Sequence, residues 1–397
     1  MHYVHTKNRH STIVTILGYS MYIFFLLAIC FYSFKRPSYN WDMLAYMAVA
    51  TSYENDNVIE VHDKVYQLAK EQLPPEKYRQ LIDSTNKYKT SIANNAAEFN
   101  LQMPFYVVKP LYTGIVYLFH KAGFTLIKST VLPSIVAYFF IGLLLIYWLK
   151  KYLPFYAALL LCLLIMLLSP IVQVANLSTP DCLSAFLILW AIYFVVEKNR
   201  IAVPFILLLV SILARLDNVI LCVLLFPILT LTGKLDKKIS MQKHFLFLAI
   251  AVACYLIVSY SSISYGWNAL YYPSFSKHLN AEHDIHQSFS MGSYFKLALT
   301  QIMVGLFYSY LSIFILLIAL FCINISPTNK KALGIDQVLL LLFLFIIVLK
   351  FILHPAVADR FYIAYYLVVI VFFIKKYAVL INSKTGVNIN LDLVQKN

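Results

Sequence analysis

Repeated apolar runs constrain this sequence more than any other feature. The first covers residues 13–34, and such a run is long enough to cross a hydrocarbon core, which takes about 20 residues. Hydrophobic residues make up 61% of the 397 positions and charged residues only 13%. This composition excludes an ordinary soluble globule. The sequence therefore predicts an all-α polytopic membrane protein.

Nine further runs follow the first, so we predict about ten transmembrane helices, within a range of roughly eight to thirteen. The whole chain, residues 1–397, is then one transmembrane domain, with a first external loop over 35–128 and a short cytoplasmic tail over 375–397. A cleaved signal peptide is the alternative for the first run, but no small-x-small cleavage site precedes Lys35 and Arg36. The later runs are residues 129–149, 153–174, 182–196, 201–214, 219–231, 245–264, 297–323, 338–353 and 361–374.

Lysine and arginine indicate the orientation, because short cytoplasmic loops carry an excess of them. If each run crosses once, fourteen basic residues after the first external loop fall on one side and four on the other. The richer side is predicted to be cytoplasmic and to hold both termini, provided that residues 105–119 do not cross. The formal charge of +14 is spread over these short clusters. It therefore indicates orientation and contact with anionic membrane lipids, and no nucleic-acid partner is predicted.

The first external loop contains two segments with helical spacing of apolar residues. Val58, Val61 and Val65 recur in the first, and Pro74-Pro75 opens the second. We predict two amphipathic, juxtamembrane helices that lie on the membrane surface, with solvated loop helices as the alternative.

Asp42 stands directly after the first run, where a carboxylate can ionise beside the lipid. Tyr46 is four residues later, so a short helix would place both side chains on one face. The alternative is a helix cap, with Trp41 as an interfacial anchor.

Further ionisable residues collect at the external ends of the runs. Asp181 precedes one run, and Arg215 with Asp217 ends another. Asp181 alone is equally typical of a helix N-terminus, and Arg215 with Asp217 of a local ion pair. A charged side chain costs roughly 2.5 to 3.5 kcal/mol at the bilayer centre on insertion scales, so we expect these groups to face one shared cavity. Lys109 and Arg360 are further candidate cations for a phosphate group.

A histidine-rich loop offers the only candidate metal ligands: His278, Glu282, His283 and His286. Their spacing allows a divalent ion but matches no strong metal signature, and a solvated polar loop is the alternative. No other cofactor is predicted.

Four short motifs stand at external positions along the chain. They are Trp41-Asp42-x-x-x-Tyr46, Lys109-Pro110-Leu111-Tyr112, Ser178-Thr179-Pro180-Asp181 and Asp359-Arg360-Phe361-Tyr362. In this layout the chain resembles the GT-C superfamily of membrane glycosyltransferases. The likeness is nearest to the bacterial branch that holds the aminoarabinose transferase of lipid A and relatives of the protein O-mannosyltransferases.

The resemblance implies transfer of a sugar from a polyprenyl-phosphate donor to an envelope lipid, glycan or protein, outside the cytoplasm at the bacterial inner membrane. Asp42 matches the family's catalytic base and Asp181 its second acidic position. Lys109 and Arg360 match basic residues near the lipid phosphate. The chain has Met43 where a second acidic residue often follows the first.

Independently of the resemblance, the same residues are suited to glycosyl transfer. An acceptor hydroxyl that attacks a sugar needs a carboxylate to take its proton, and a departing lipid phosphate needs cations. Tyr46, Arg215, Asp217 and Tyr362 are the remaining candidate substrate-binding residues. A polysaccharide polymerase or ligase acting on lipid-linked glycans, and a multi-span transporter or flippase, are the alternative functions.

Overall fold

The computed structural model describes residues 2–83, 85–235, 240–262, 289–323 and 334–385. Within these ranges the regular structure consists of α-helices and two short 3₁₀ helices, with no β-strand. The predicted all-α class is therefore confirmed. The His278 to His286 candidates for metal binding lie outside the described residues.

The helices are numbered in chain order. The first eight are α1 (His2–Lys35), α2 (Asp42–Ser52), α3 (Val58–Gln72), α4 (Pro75–Ile82), α5 (Lys87–Asn94), α6 (Ala96–Asn100), α7 (Pro104–Val107) and α8 (Pro110–Lys121). The next seven are α9 (Leu126–Leu149), α10 (Phe155–Met166), α11 (Ser169–Asn176), α12 (Asp181–Lys198), α13 (Ala202–Ala214), α14 (Val219–Leu231) and α15 (Met241–Ser261). The last four are α16 (Met291–Tyr308), α17 (Leu311–Ile323), α18 (Ile335–Leu353) and α19 (Ile363–Thr385). The 3₁₀ helices are Leu216–Asn218 and Asp359–Phe361.

Four described helices are long and apolar enough to cross a membrane: α1 over Ile13–Lys35, α9, α15 and α18. Two bent pairs, α10 with α11 and α16 with α17, raise the number to six if each pair is one span. These helices support the prediction of a membrane protein with several transmembrane helices.

Two of the predicted runs are broken helices. Residues 153–174 and 297–323 were each expected as one run, but the helix axes bend by 62° between α10 and α11 and by 78° between α16 and α17. Pro170 lies in the first turn of α11 and cannot continue the hydrogen bonding of α10. At the second break, the Asp359 carboxylate accepts hydrogen bonds from the Ser309 hydroxyl at 2.7 Å and the Tyr310 backbone N–H at 3.0 Å.

The helices of the polar region, residues 35–128, form a second hydrophobic core. Helices α3 and α4 occupy the two segments that the apolar spacing predicts. Val61 and Val65 of α3 are buried in a cluster that includes residues of α2 and α6. The apolar face of α3 is therefore covered by the protein, because α2 and α6 pack against it.

Helix α9 is the most buried of the candidate spans and contacts α1, α8, α11 and α12. Its close packing on α1 depends on Gly142. The Tyr22 hydroxyl donates to the Gly142 carbonyl at 2.8 Å, and a Cβ at Gly142 would meet both terminal carbons of Leu26 at 2.7 Å.

We predict that Gly142→Ala lowers the free energy of unfolding by about 1 to 3 kcal/mol, the usual cost of overpacking a filled core. Thermal unfolding in detergent micelles measures the change. Gly114→Ala in α8 is the control, because a Cβ there meets no atom within 4 Å. A Gly142→Ala protein as stable as this control would contradict the packing.

Candidate functional site

A cavity of about 780 Å³ lies where the N-terminal ends of α12 and α14 meet the C-terminal end of α18. Residues of the polar region 35–128, which includes α2, of α15 and of both 3₁₀ helices also line it. Segments that are far apart in the sequence therefore meet at the cavity, which lies at one end of the helical bundle.

Asn40 connects the segment before α2 to the segment before α12. Its side-chain oxygen accepts the backbone N–H of Ser178 at 3.1 Å, and its amide nitrogen donates to Asp42 Oδ2 at 3.1 Å. The backbone N–H of Ser38 also donates to the Asn176 carbonyl at 2.9 Å. These bonds fix the Asp42 carboxylate relative to the N-terminus of α12.

Polar side chains of α9 hold the segment before α12 from the other side. The Thr130 and Ser178 hydroxyls are hydrogen-bonded at 2.8 Å, and the Ser134 hydroxyl donates to the Thr179 carbonyl at 2.9 Å. Asp181 follows as the first residue of α12, with a side chain that is only 2% exposed.

Alternating charges form a continuous chain of ion pairs along the cavity. Lys350 Nζ lies 2.8 Å from Asp217 Oδ2, and Arg215 Nε lies 3.0 Å from Asp217 Oδ1. Arg215 also pairs with Asp181. Arg360 then pairs with Asp181 through Nε at 3.6 Å and with Asp42 through Nη1 at 3.2 Å. The order along the chain is Lys350, Asp217, Arg215, Asp181, Arg360, Asp42.

The Phe361 ring packs against both arginines of this chain. The guanidinium carbon of Arg215 lies 4.4 Å from the ring centroid and that of Arg360 lies 5.2 Å from it. Cation–π attraction of this kind stabilises each guanidinium. The phenyl ring therefore helps to hold two like charges on the same side of the cavity.

Lys109 is not part of this chain of ion pairs and makes no salt bridge with any residue that the structure describes. Lys89, which also lines the cavity without a salt bridge among the described residues, instead donates to the Gln80 carbonyl at 3.0 Å. The ammonium group of Lys109 lies 4.9 Å from the centroid of the Tyr106 ring and 5.3 Å from that of Tyr46. Burial lowers the pKa of Lys109 to about 8. Lys109 is thus mostly charged at neutral pH and becomes neutral above pH 8.

The charge of the cavity favours an anionic ligand. Its lining contains five basic side chains and three carboxylates, which leaves two positive charges in excess. His354 adds no charge at pH 7, because burial and then the neighbouring Arg215 lower its pKa to about 4. The basic residues are Lys89, Lys109, Arg215, Lys350 and Arg360, and the carboxylates are Asp42, Asp181 and Asp217.

The cavity brings together the catalytic and substrate-binding candidates that the sequence indicates. All eight line it: Asp42, Tyr46, Lys109, Asp181, Arg215, Asp217, Arg360 and Tyr362. Tyr46 and Tyr362 are each only 1% exposed and contribute mainly to the wall. The described part of the chain contains no group of three or more His, Cys, Asp or Glu residues that could hold a metal ion.

Sequence analysis missed three residues that organise this site: Asn40, Tyr106 and Lys350. The Tyr106 hydroxyl donates to Asp42 Oδ1 at 3.1 Å. Burial, followed by the charge of Asp42, raises the pKa of Tyr106, so it remains a hydrogen-bond donor. Lys350 had a usable signal, because a lysine inside the apolar helix α18 is costly unless it is paired. Asn40 and Tyr106 carried no such signal in the sequence, since polar and aromatic residues are common at membrane interfaces.

Comparison of the chain with protein-family models, with curated proteins and with solved structures finds no match.

We predict that Lys350→Met lowers the free energy of unfolding by about 1 to 3 kcal/mol, the worth of a hydrogen bond to a charged group, because Asp217 keeps Arg215 as a partner. Lys350 is 8% exposed, and its loss leaves Asp217 with Arg215 alone. Lys296→Met on the exposed surface of α16 is the control, measured by the same thermal unfolding.

A double variant, Lys350→Met with Asp217→Asn, separates charge from packing. It restores the balance of charges along the chain and should recover part of the lost stability. No recovery would show that the charge of Asp217 is not what Lys350 compensates.

Proposed function

We propose that this chain is a GT-C-type membrane glycosyltransferase that moves a sugar from a polyprenyl-phosphate donor to an envelope lipid, glycan or protein. One observation carries the proposal. Asp42 and Lys109 line the same cavity. Solvent can reach the Asp42 carboxylate, and Lys109 has no salt bridge among the described residues. These are the two groups that glycosyl transfer from a phosphate requires.

The shape of the cavity suits a ligand with a charged head and an apolar tail. Beside its charged residues, the cavity is lined by Ile220 of α14, Tyr255 of α15 and Leu353 of α18. Helices α15 and α18 are candidate membrane spans. A polyprenyl chain could therefore lie among the membrane helices while its phosphate reaches Lys109.

Asp42 is a better base than Asp181 in this cavity. The Asp42 side chain is 26% exposed, whereas that of Asp181 is 2% exposed and pairs with both Arg215 and Arg360. A base must reach the proton of the acceptor, which favours Asp42. Asp181 then acts as a positioning residue for the two arginines.

In the proposed reaction, the acceptor oxygen forms a bond to the anomeric carbon of the sugar. Its proton passes to the Asp42 carboxylate, which Asn40, Tyr106 and Arg360 hold in place. The bond between the anomeric carbon and the phosphate oxygen breaks, and the phosphate keeps the electron pair. Lys109 stabilises the negative charge of the departing lipid phosphate.

The proposal includes ten membrane crossings with both termini in the cytoplasm. Helices α12, α13, α14 and α19 would add four crossings to the six that the longer helices and bent pairs allow. The cavity would then open outside the cytoplasm, at the inner membrane of a bacterium, as the distribution of lysine and arginine and the resemblance favour.

We predict that Asp42→Asn lowers the transfer rate by about 10²- to 10⁴-fold, the usual contribution of a general base, and leaves the protein folded in the membrane. The rate is measured as release of polyprenyl phosphate from a panel of polyprenyl-phosphate sugars in proteoliposomes that contain extracted envelope acceptors. Asp56→Asn, an exposed position before α3, is the matched control. Wild-type activity in Asp42→Asn would remove Asp42 as the base.

We predict that binding of farnesyl phosphate weakens roughly tenfold between pH 7 and pH 9.5, the worth of one charge-assisted hydrogen bond. The pKa of Lys109 is about 8, so its charge is present below pH 8 and is lost as the pH rises through that value. The phosphate is already dianionic over most of this range, since its second pKa is about 6. Microscale thermophoresis in nanodiscs measures the affinity.

Lys109→Arg is the control for this pH dependence, because a guanidinium remains charged at pH 9.5. Its affinity for farnesyl phosphate should stay constant over the range. A wild-type affinity that does not change with pH would show that Lys109 does not bind the phosphate.

A further inference from the structure

Two uncharged side chains in the wall of the cavity have buried polar atoms without a partner. Gln102, in the polar region 35–128, is 4% exposed, and its amide nitrogen makes no hydrogen bond with any described residue. Thr179, in the segment before α12, is 2% exposed, and its hydroxyl likewise has no partner within the described ranges. A buried polar group without a hydrogen bond costs free energy, which binding of a ligand would recover.

We propose that Gln102 and Thr179 form a subsite that binds the hydroxyl groups of a neutral sugar. This inference rests on the proposed function and names the class of sugar that the site takes. The amide N–H of Gln102 can donate to a hydroxyl oxygen, and the hydroxyl of Thr179 can donate or accept. Both residues line the cavity, and in this proposal a bound sugar reaches their polar groups after rotation about the side-chain bonds.

The charged residues favour a neutral sugar over a charged one. The carboxylates of Asp181 and Asp217 are engaged by arginine or lysine. Asp42 is paired with Arg360 and takes the acceptor proton in the proposed reaction, so no carboxylate is left to pair with an amino sugar. Arg215, Lys350 and Arg360 are engaged in the same pairs. Lys109 is taken by the phosphate in the proposed reaction, and Lys89 donates to the Gln80 carbonyl. The uncharged side chains of Gln102 and Thr179 are therefore the polar groups left to bind the sugar.

The subsite also gives selectivity for glycosylated over bare lipid phosphates. A ligand without a matching hydroxyl leaves Gln102 or Thr179 buried and unpaired, which disfavours it more than a missing apolar contact would. The affinities are compared at pH 5, where a bare lipid phosphate carries one negative charge like its glycosylated diester, since the second pKa of a phosphate monoester is about 6. Both ligands then share the contact with Lys109, and the ratio of their affinities reports on the subsite.

The experiment measures five probes against the full-length protein in nanodiscs. They are farnesyl phosphate and its glucosyl, galactosyl, mannosyl and glucosaminyl conjugates. For the wild type, at least one neutral conjugate should bind about tenfold more tightly than farnesyl phosphate. Thr179→Val and Gln102→Met should each reduce this ratio to near one, and Thr179→Ser, which keeps the hydroxyl, should preserve it.

Thermal unfolding of the same variants distinguishes binding from folding. Because the replaced polar atoms have no hydrogen bond among the described residues, Thr179→Val and Gln102→Met should be at least as stable as the wild type. A lower stability together with an unchanged ratio would assign these residues a structural role and overturn the subsite.

Further outcomes would contradict the subsite or the proposed function. The subsite is overturned if both variants keep the wild-type ratio, or if no neutral conjugate exceeds farnesyl phosphate. Tightest binding of the glucosaminyl conjugate overturns its assignment to neutral sugars. If no probe binds at all, farnesyl phosphate included, the proposed function itself fails.

Discussion

The chain of ion pairs from Lys350 to Asp42 is the constraint on which the site depends. Its members come from α2, α12, α18, both 3₁₀ helices and, with Arg215, the connection after α13, so no single element can build it. Charges beside a bilayer are costly alone and are retained when each has a partner. Every internal member of the chain has two partners, and the arrangement is therefore fixed by mutual neutralisation.

This neutralisation explains why the few remaining polar groups matter. Arg215, Arg360 and Lys350 are paired, and Lys89 donates to the Gln80 carbonyl. Lys109 also lines the cavity and has no salt bridge among the described residues. Its ammonium group is held by the faces of Tyr46 and Tyr106, which stabilise a cation without neutralising it. A lysine in this state retains its attraction for an anion.

The cavity depends equally on two hydrophobic cores that meet along it. The larger core joins the long helices, and the smaller one joins α2 with the other helices of the polar region 35–128. Asn40 and Tyr106 lie where these cores meet and both donate to Asp42. The proposed base is thus oriented by Asn40 and Tyr106 of the polar region and paired by Arg360 of the 3₁₀ helix Asp359–Phe361.

The sequence by itself determined the helical class, the apolar runs and the collection of ionisable residues at one end of those runs. These follow from local rules, because run length and the cost of a charge in lipid are properties of each segment. Only the tertiary structure decided that Asp181 would pair with two arginines, that Lys350 would complete the chain and that Lys109 would be left without a salt bridge among the described residues. Pairing among residues from position 42 to position 360 depends on how the helices pack, and spacing along a sequence carries no record of that packing.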